Sequence, residues 1–156
     1  MQIKVTGTGP RNAKILEEAA VFFADILMDP RMVRNLDLEI EVSKKADFEG
    51  ECIDEDATRN PRWFTIALRA QTIDEMVKVL GHEMVHVKQH AKNELQSGFM
   101  VATRGGLKMS SRWKGEVWKP SRKEHHYYDS PWEVEAYGKE VGLFQRYVAW
   151  RNNNEC

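Results

Sequence analysis

Apolar and polar side chains alternate over residues 2 to 6, where Ile3 and Val5 are separated by Lys4 and flanked by Gln2 and Thr6, the period of a strand. Gly7, Gly9 and Pro10 break that pattern. Beyond them Ile15, Leu16, Ala19, Phe22, Phe23, Ile26 and Leu27 recur at helical spacing and predict a helix over residues 11 to 28. Asp29 and Pro30 end or redirect it, and Leu36, Leu38, Ile40 and Val42 then alternate with Asp37, Glu39 and Glu41 as a half-buried strand.

An acidic, turn-rich stretch follows around residues 48 to 56, with room for a short strand near residues 51 to 54. Asn60-Pro61 punctuates the chain before the apolar run from Trp63 to Leu68, which reads as a further strand, and Trp63 to Arg69 could serve as an edge to which an extended peptide adds. Thr72-Ile-Asp-Glu75 has the form of a capping box, in which a hydroxyl and a carboxylate satisfy unpaired N–H groups at a helix start. Ile73, Met76, Val77, Leu80, Met84 and Val87 make the helix so capped amphipathic, to about Asn93.

Between Leu95 and Tyr128 glycine and serine interrupt the pattern, leaving only short strands near residues 99 to 102 and 113 to 118. Ser130-Pro-Trp-Glu133 then reads as an N-cap, a proline at the first helical position and a second capping box, opening a helix to about Trp150. Strands and helices are thus interspersed, and the expected class is α+β: a small mixed sheet covered by three main helices, in a single domain over residues 1 to 156.

Composition narrows the function classes. The net charge of −1 gives the whole chain no bias toward nucleic acid or anionic surfaces, so any such preference must be local. The N-terminus does not read as a signal peptide and no apolar run is long enough to span a membrane, so a cytoplasmic location is expected. Cys52 and Cys156 are far apart and without metal-site spacing, which points away from a disulfide framework.

The candidate chemistry lies in His82-Glu-Met-Val-His86. Two histidines one helical turn apart project about 6 Å from each other on one face and can reach one tetrahedral zinc ion. Glu83, beside the first of them, can act as general base toward a water at the metal. A third ligand is expected from the late helix. There Glu135 shares a face with Gly138, Gly142 and Ala149, small side chains that would allow close approach to the zinc helix. Glu133 is the competitor, but the capping box occupies it and it lies toward the stripe of Val134, Tyr137, Val141, Phe144 and Val148, so Glu135 is favoured.

His82-Glu-Met-Val-His86 together with Ser130-Pro-Trp-Glu-Val-Glu-Ala136 resembles the small single-domain zinc metallopeptidase-like proteins of bacteriophages, minimal relatives of the gluzincins, over roughly residues 60 to 150. The resemblance implies a zincin-type fold, His82 and His86 as ligands, Glu83 as base and a glutamate of the second helix as third ligand. Larger gluzincins often carry an Asp one turn after the ligand Glu, where Lys139 follows Glu135 here, so the partner that orients His82 is unassigned. The SprT-like proteases, which act near DNA, are a looser likeness because they use a third histidine.

His90 lies about 12 Å along the helix from His82, too far to share its metal, and reads as a surface or supporting residue. His125, His126, Tyr127 and Tyr128 could each supply an oxyanion donor, with Tyr128 the first choice. Arg104, Lys108, Arg112, Lys114, Lys119, Arg122 and Lys123, interleaved with Trp113 and Trp118, could touch nucleic acid but read better as a solvated charged loop.

The expected function is zinc-dependent hydrolysis of a peptide or protein substrate. The alternative is a non-catalytic, zinc-stabilised binding or regulatory protein contacting DNA or a host protein through residues 104 to 123.

Overall fold

The computed structural model describes residues 1 to 154, and Cys156 lies outside them. Helices and strands mix as α+β, with two sheets. In chain order the elements are β1 (Gln2–Thr6), α1 (Pro10–Leu27), α2 (Pro30–Arg34), β2 (Asp37–Ser43), β3 (Gly50–Asp54), β4 (Trp63–Arg69), α3 (Ile73–Ala91), β5 (Leu95–Thr103), β6 (Gly106–Trp113), β7 (Glu116–Val117) and α4 (Pro131–Asn154).

The larger sheet runs β1-β2-β4-β3. Its first three strands are parallel, and β3 closes the edge antiparallel to β4, with Cys52 opposite Ile66. Alternation sorts its faces. Leu38, Ile40, Val42, Phe64, Ile66 and Leu68 are buried toward the helices, while Asp37 and Glu41 face solvent.

Helix α1 turns Leu16, Ala19, Ala20 and Phe23 into the same core, and α3 adds Met76, Val77, Leu80 and Met84. At Gly81 a side chain would come within 3.5 Å of Phe23 and 3.6 Å of Leu143, so this glycine sits where α1, α3 and α4 converge. The capping box of α3 forms as expected: Thr72 N–H donates to Glu75 Oε2 at 3.1 Å and Glu75 N–H to Thr72 Oγ1 at 3.4 Å. Its far end is tied down by Arg62, which donates to Ala91 O at 2.9 Å.

Three expectations change. The apolar run of β4 is an interior strand between β2 and β3, so it offers no free edge, and β3 takes that position instead. The segment from Leu95 to Tyr128 contains a long hairpin, β5–β6, extended by β7 into a second three-stranded sheet. Its glycines mask it in the sequence because they belong to the ladder: Gly98 sits in a bulge at φ +76°, and Gly106 at the turn at φ +109°.

The third change concerns the start of α4. The N–H and Oγ of Ser130 both donate to Tyr127 O, at 3.1 and 2.7 Å, so the second capping box is not made and Glu133 is free for another partner. The face of α4 turned inward carries Glu133, Ala136, Leu143 and Tyr147. Gly138 and Gly142, expected to dock against α3, point away from it, and a Cβ added at either would meet nothing within 4 Å.

Candidate metal centre

Helix α3 holds His82 and His86 one turn apart with their Nε2 atoms 3.2 Å from each other. Glu133, on the first turn of α4, reaches both: Oε2 lies 3.2 Å from His82 Nε2 and Oε1 lies 3.3 Å from His86 Nε2. All three side chains are buried. They form the one group of metal-ligating side chains, among the described residues, whose donor atoms converge closely enough to hold an ion.

Glu133 therefore replaces Glu135 as the glutamate of the cluster. Glu135 accepts from Lys88 Nζ at 2.7 Å and from Gln89 Nε2 at 2.9 Å, which turns its carboxylate away from the histidines. It still serves the site at one remove. Gln89 Nε2 also donates to Trp132 O at 3.0 Å, leaving Gln89 Oε1 to face His86 Nδ1 at 2.8 Å.

His82 has the corresponding support that the sequence left unassigned. Its Nδ1 lies 3.2 Å from Glu140 Oε2, two turns along α4 from Glu133, and the other oxygen of Glu140 pairs with Lys78 at 3.5 Å. The Tyr137 ring packs edge-on against the His82 ring, with centroids 4.5 Å apart. Both Nδ1 atoms thus face acceptors and must carry the proton, so in the neutral rings both Nε2 atoms present lone pairs.

Two lone pairs and a carboxylate within 3.3 Å of one another repel unless a cation sits among them. Glu133 Oε2 is in addition buried without a hydrogen-bond partner. An orphaned buried carboxylate oxygen is costly, and coordination removes that cost. The residues present fit a metal ion.

Burial acts to raise the Glu133 carboxyl, but where the rings take a second proton at Nε2 in place of a metal, His82 and His86 donate to it, outweigh burial and hold the group at about 2. Burial would lower His86, and Glu133 overcomes it and raises it. Glu83 is raised, chiefly by burial, against the opposing pull of both histidines.

Any side chain at Gly50 on β3 would collide with the Glu83 carboxylate. A Cβ at Gly50 would come within 2.7 Å of Glu83 Oε1 and 2.5 Å of Val79 Cγ1, so glycine there leaves the Glu83 carboxylate its place against the edge strand.

Glu83, His82, His86 and Glu133 line a cleft of about 780 Å³, within the size range of small-ligand sites. Its walls include Gly50, Glu51 and Cys52 of β3, Leu95 and Ser97 at the start of β5, and Tyr127, Tyr128 and Trp132 before and at the start of α4. No family model, curated protein or solved structure matches the chain.

Tyr127 is closer to the centre than its neighbour. Burial, the nearby Glu133 carboxylate and Tyr137 raise its phenol above the ordinary tyrosine range. Tyr128 lines the cleft too, but is 60% exposed and packs on the His125 ring at 5.0 Å. His125 is occupied in the turn, where its Nδ1 accepts from Tyr127 N–H and Tyr128 N–H at 3.1 and 3.2 Å. His90 lies on the cleft wall, where burial lowers its pKa from the ordinary histidine value.

The partners of the histidines escape sequence reading because Gln89 and Glu140 look like ordinary polar positions of helices. One signal was available. Glu133, Ala136, Glu140, Leu143 and Tyr147 recur at three- and four-residue spacing, so both carboxylates lie in the same stripe as the side chains that anchor the helix.

Proposed function

We propose that the chain is a zinc-dependent peptidase of zincin type, akin to the minimal gluzincins, with His82, His86 and Glu133 as ligands and Glu83 as general base. The observation that carries this reading is the convergence of two Nε2 lone pairs and the orphaned Glu133 oxygen beside a buried carboxylate in an open cleft. Zinc bound by nitrogen and oxygen at about 2.0 to 2.2 Å in a tetrahedron spaces its ligands about 3.3 to 3.5 Å apart. The Nε2–Nε2 separation of 3.2 Å is close to that spacing, and a Glu133 oxygen lies at a similar distance from each nitrogen, Oε2 at 3.2 Å from His82 and Oε1 at 3.3 Å from His86.

A zinc ion held there would supply Lewis acidity, polarising a substrate carbonyl and acidifying water. The chain's own residues do the rest. Glu83, raised by burial, takes a proton from the attacking water and delivers it to the departing amine. Tyr127, on the cleft wall beside Glu133, can donate its O–H to a developing oxyanion, the part that the sequence favours for Tyr128. The free edge of β3, running along the cleft at Gly50 to Cys52, can straighten a peptide by pairing with its backbone.

Chelation is the direct test. Hydrolysis of a quenched fluorogenic peptide should fall to background after dialysis against a chelator and return on addition of one equivalent of zinc. Activity that persists in the metal-free protein would overturn the proposal.

The contact of Glu140 with His82 yields a second expectation. Glu140→Ala should weaken zinc affinity by about 10- to 100-fold, the usual cost of losing the group that orients a ligating histidine. A competition titration against a zinc-binding dye reads this directly, and an unchanged affinity would remove Glu140 from the site.

A further inference from the structure

The β5–β6 hairpin leaves the body of the protein at the rim of the cleft. Its base is fixed: Leu95 is buried, Lys114 N–H donates to Glu94 O at 2.7 Å, and the Trp113 and Trp118 rings both pack against Trp132. Past the bulge at Gly98 the strands carry no buried residue. The register places Met100 opposite Met109 and Ala102 opposite Leu107, so these four share one face. On that face Met100, Leu107 and Met109 are 53%, 71% and 67% exposed.

Charge on this arm has one sign. From Leu95 to Gly115 the chain carries Arg104, Lys108, Arg112 and Lys114 and no Asp or Glu. The outer edge of β5 is also unguarded. Among the described residues it pairs only with β6, and Phe99-Met-Val-Ala-Thr103 contains none of the charges or prolines with which proteins blunt an exposed edge.

Free backbone groups, an apolar face and the positive charge of Arg104 and Lys108 near the tip together fit one occupant. We infer that the hairpin is a docking arm for an extended polypeptide of alternating apolar and acidic residues, which adds to the β5 edge and is led into the cleft where Leu95 and Ser97 form its wall. Nucleic acid fits less well. Its bases would need open aromatic faces, yet Trp113 and Trp118 pack on Trp132, and Arg112 and Lys114 lie over the Phe99 and Trp113 rings at 4.5 and 5.3 Å. That the docked chain is a substrate rests on the hydrolytic reading of the cleft. That it binds does not.

The test uses the Glu83→Gln protein and a labelled ten-residue peptide of alternating Val and Glu, with a Val-Lys peptide as counterpart, read by fluorescence anisotropy. The Val-Glu peptide should bind at least about tenfold more tightly than the Val-Lys peptide, and Leu107→Asp with Met109→Asp, or Arg104→Glu with Lys108→Glu, should each weaken it by about tenfold or more. All four positions are exposed, so thermal melts should be unchanged.

Equal binding of the two peptides, or binding unaffected by both variants, would overturn the arm. So would sedimentation with phosphatidylserine vesicles in place of peptide binding. Arm-dependent binding by a chain that hydrolyses nothing would uphold the arm and remove the peptidase reading. Hydrolysis of casein with a KM untouched by either pair of arm substitutions would do the reverse.

Discussion

Glu133→Ala is expected to abolish stoichiometric zinc binding at micromolar metal, while Glu135→Ala retains it. Glu133 places an oxygen within 3.3 Å of each histidine nitrogen, so its loss leaves two ligands where a structural or catalytic zinc needs three or more. Removing an outer partner costs about 10- to 100-fold in affinity, and removing a ligand should cost more than that upper figure.

Glu135 acts two contacts away from His86, through Gln89. Without it Gln89 Nε2 still donates to Trp132 O, and Lys88 still pairs with Glu94 at 2.7 Å, so His86 keeps its orientation. A fall of no more than about tenfold is expected. Equilibrium dialysis followed by metal analysis separates the two variants. The reverse order, with Glu135→Ala losing the ion, would mean that α4 presents a different face to α3.

The exchange of Glu133 for Glu135 also shows where sequence reading reaches its limit. Elements with strong periodicity and local signals are legible: β1, α1, β2 and α3 follow from alternation, helical spacing and the Thr72–Glu75 box, and each forms within a residue or two of its expected bounds. The two histidines of the cluster and Glu83 come with α3 because their geometry is local to one helix.

The third ligand depends on how α4 is rotated against α3, which no local rule fixes. Small residues at Gly138 and Gly142 point to one face, and a well-formed S-x-x-E string supplies Glu133 with a competing role. Tertiary contacts decide otherwise. Ala136, Leu143 and Tyr147 anchor the helix, the last through a bond from its hydroxyl to Ile15 O at 3.3 Å, and Glu133 and Glu140 share their stripe.

The hairpin is hard to read for a related reason. Alternation marks a strand only when one face is buried, and β5–β6 is solvent-bathed beyond its base, so its pairing leaves little trace in composition.

Glu83→Gln should lower peptide hydrolysis by about 10²- to 10⁴-fold, the range over which general base catalysis contributes, with zinc affinity changed little. The amide is close to isosteric with the carboxylate, so it fits the space that Gly50 leaves beside β3 without shifting His82 or His86. What it cannot do is accept the proton from water. A second measurement separates this role from a structural one. Burial already disfavours the charged form of Glu83, so a neutral side chain removes a penalty from the folded metal-free protein, and its melting temperature should hold or rise. Loss of activity with intact zinc binding and an undiminished melt assigns Glu83 to proton transfer. Loss of all three together would make it a structural residue, and full activity in the variant would place the base elsewhere in the cleft.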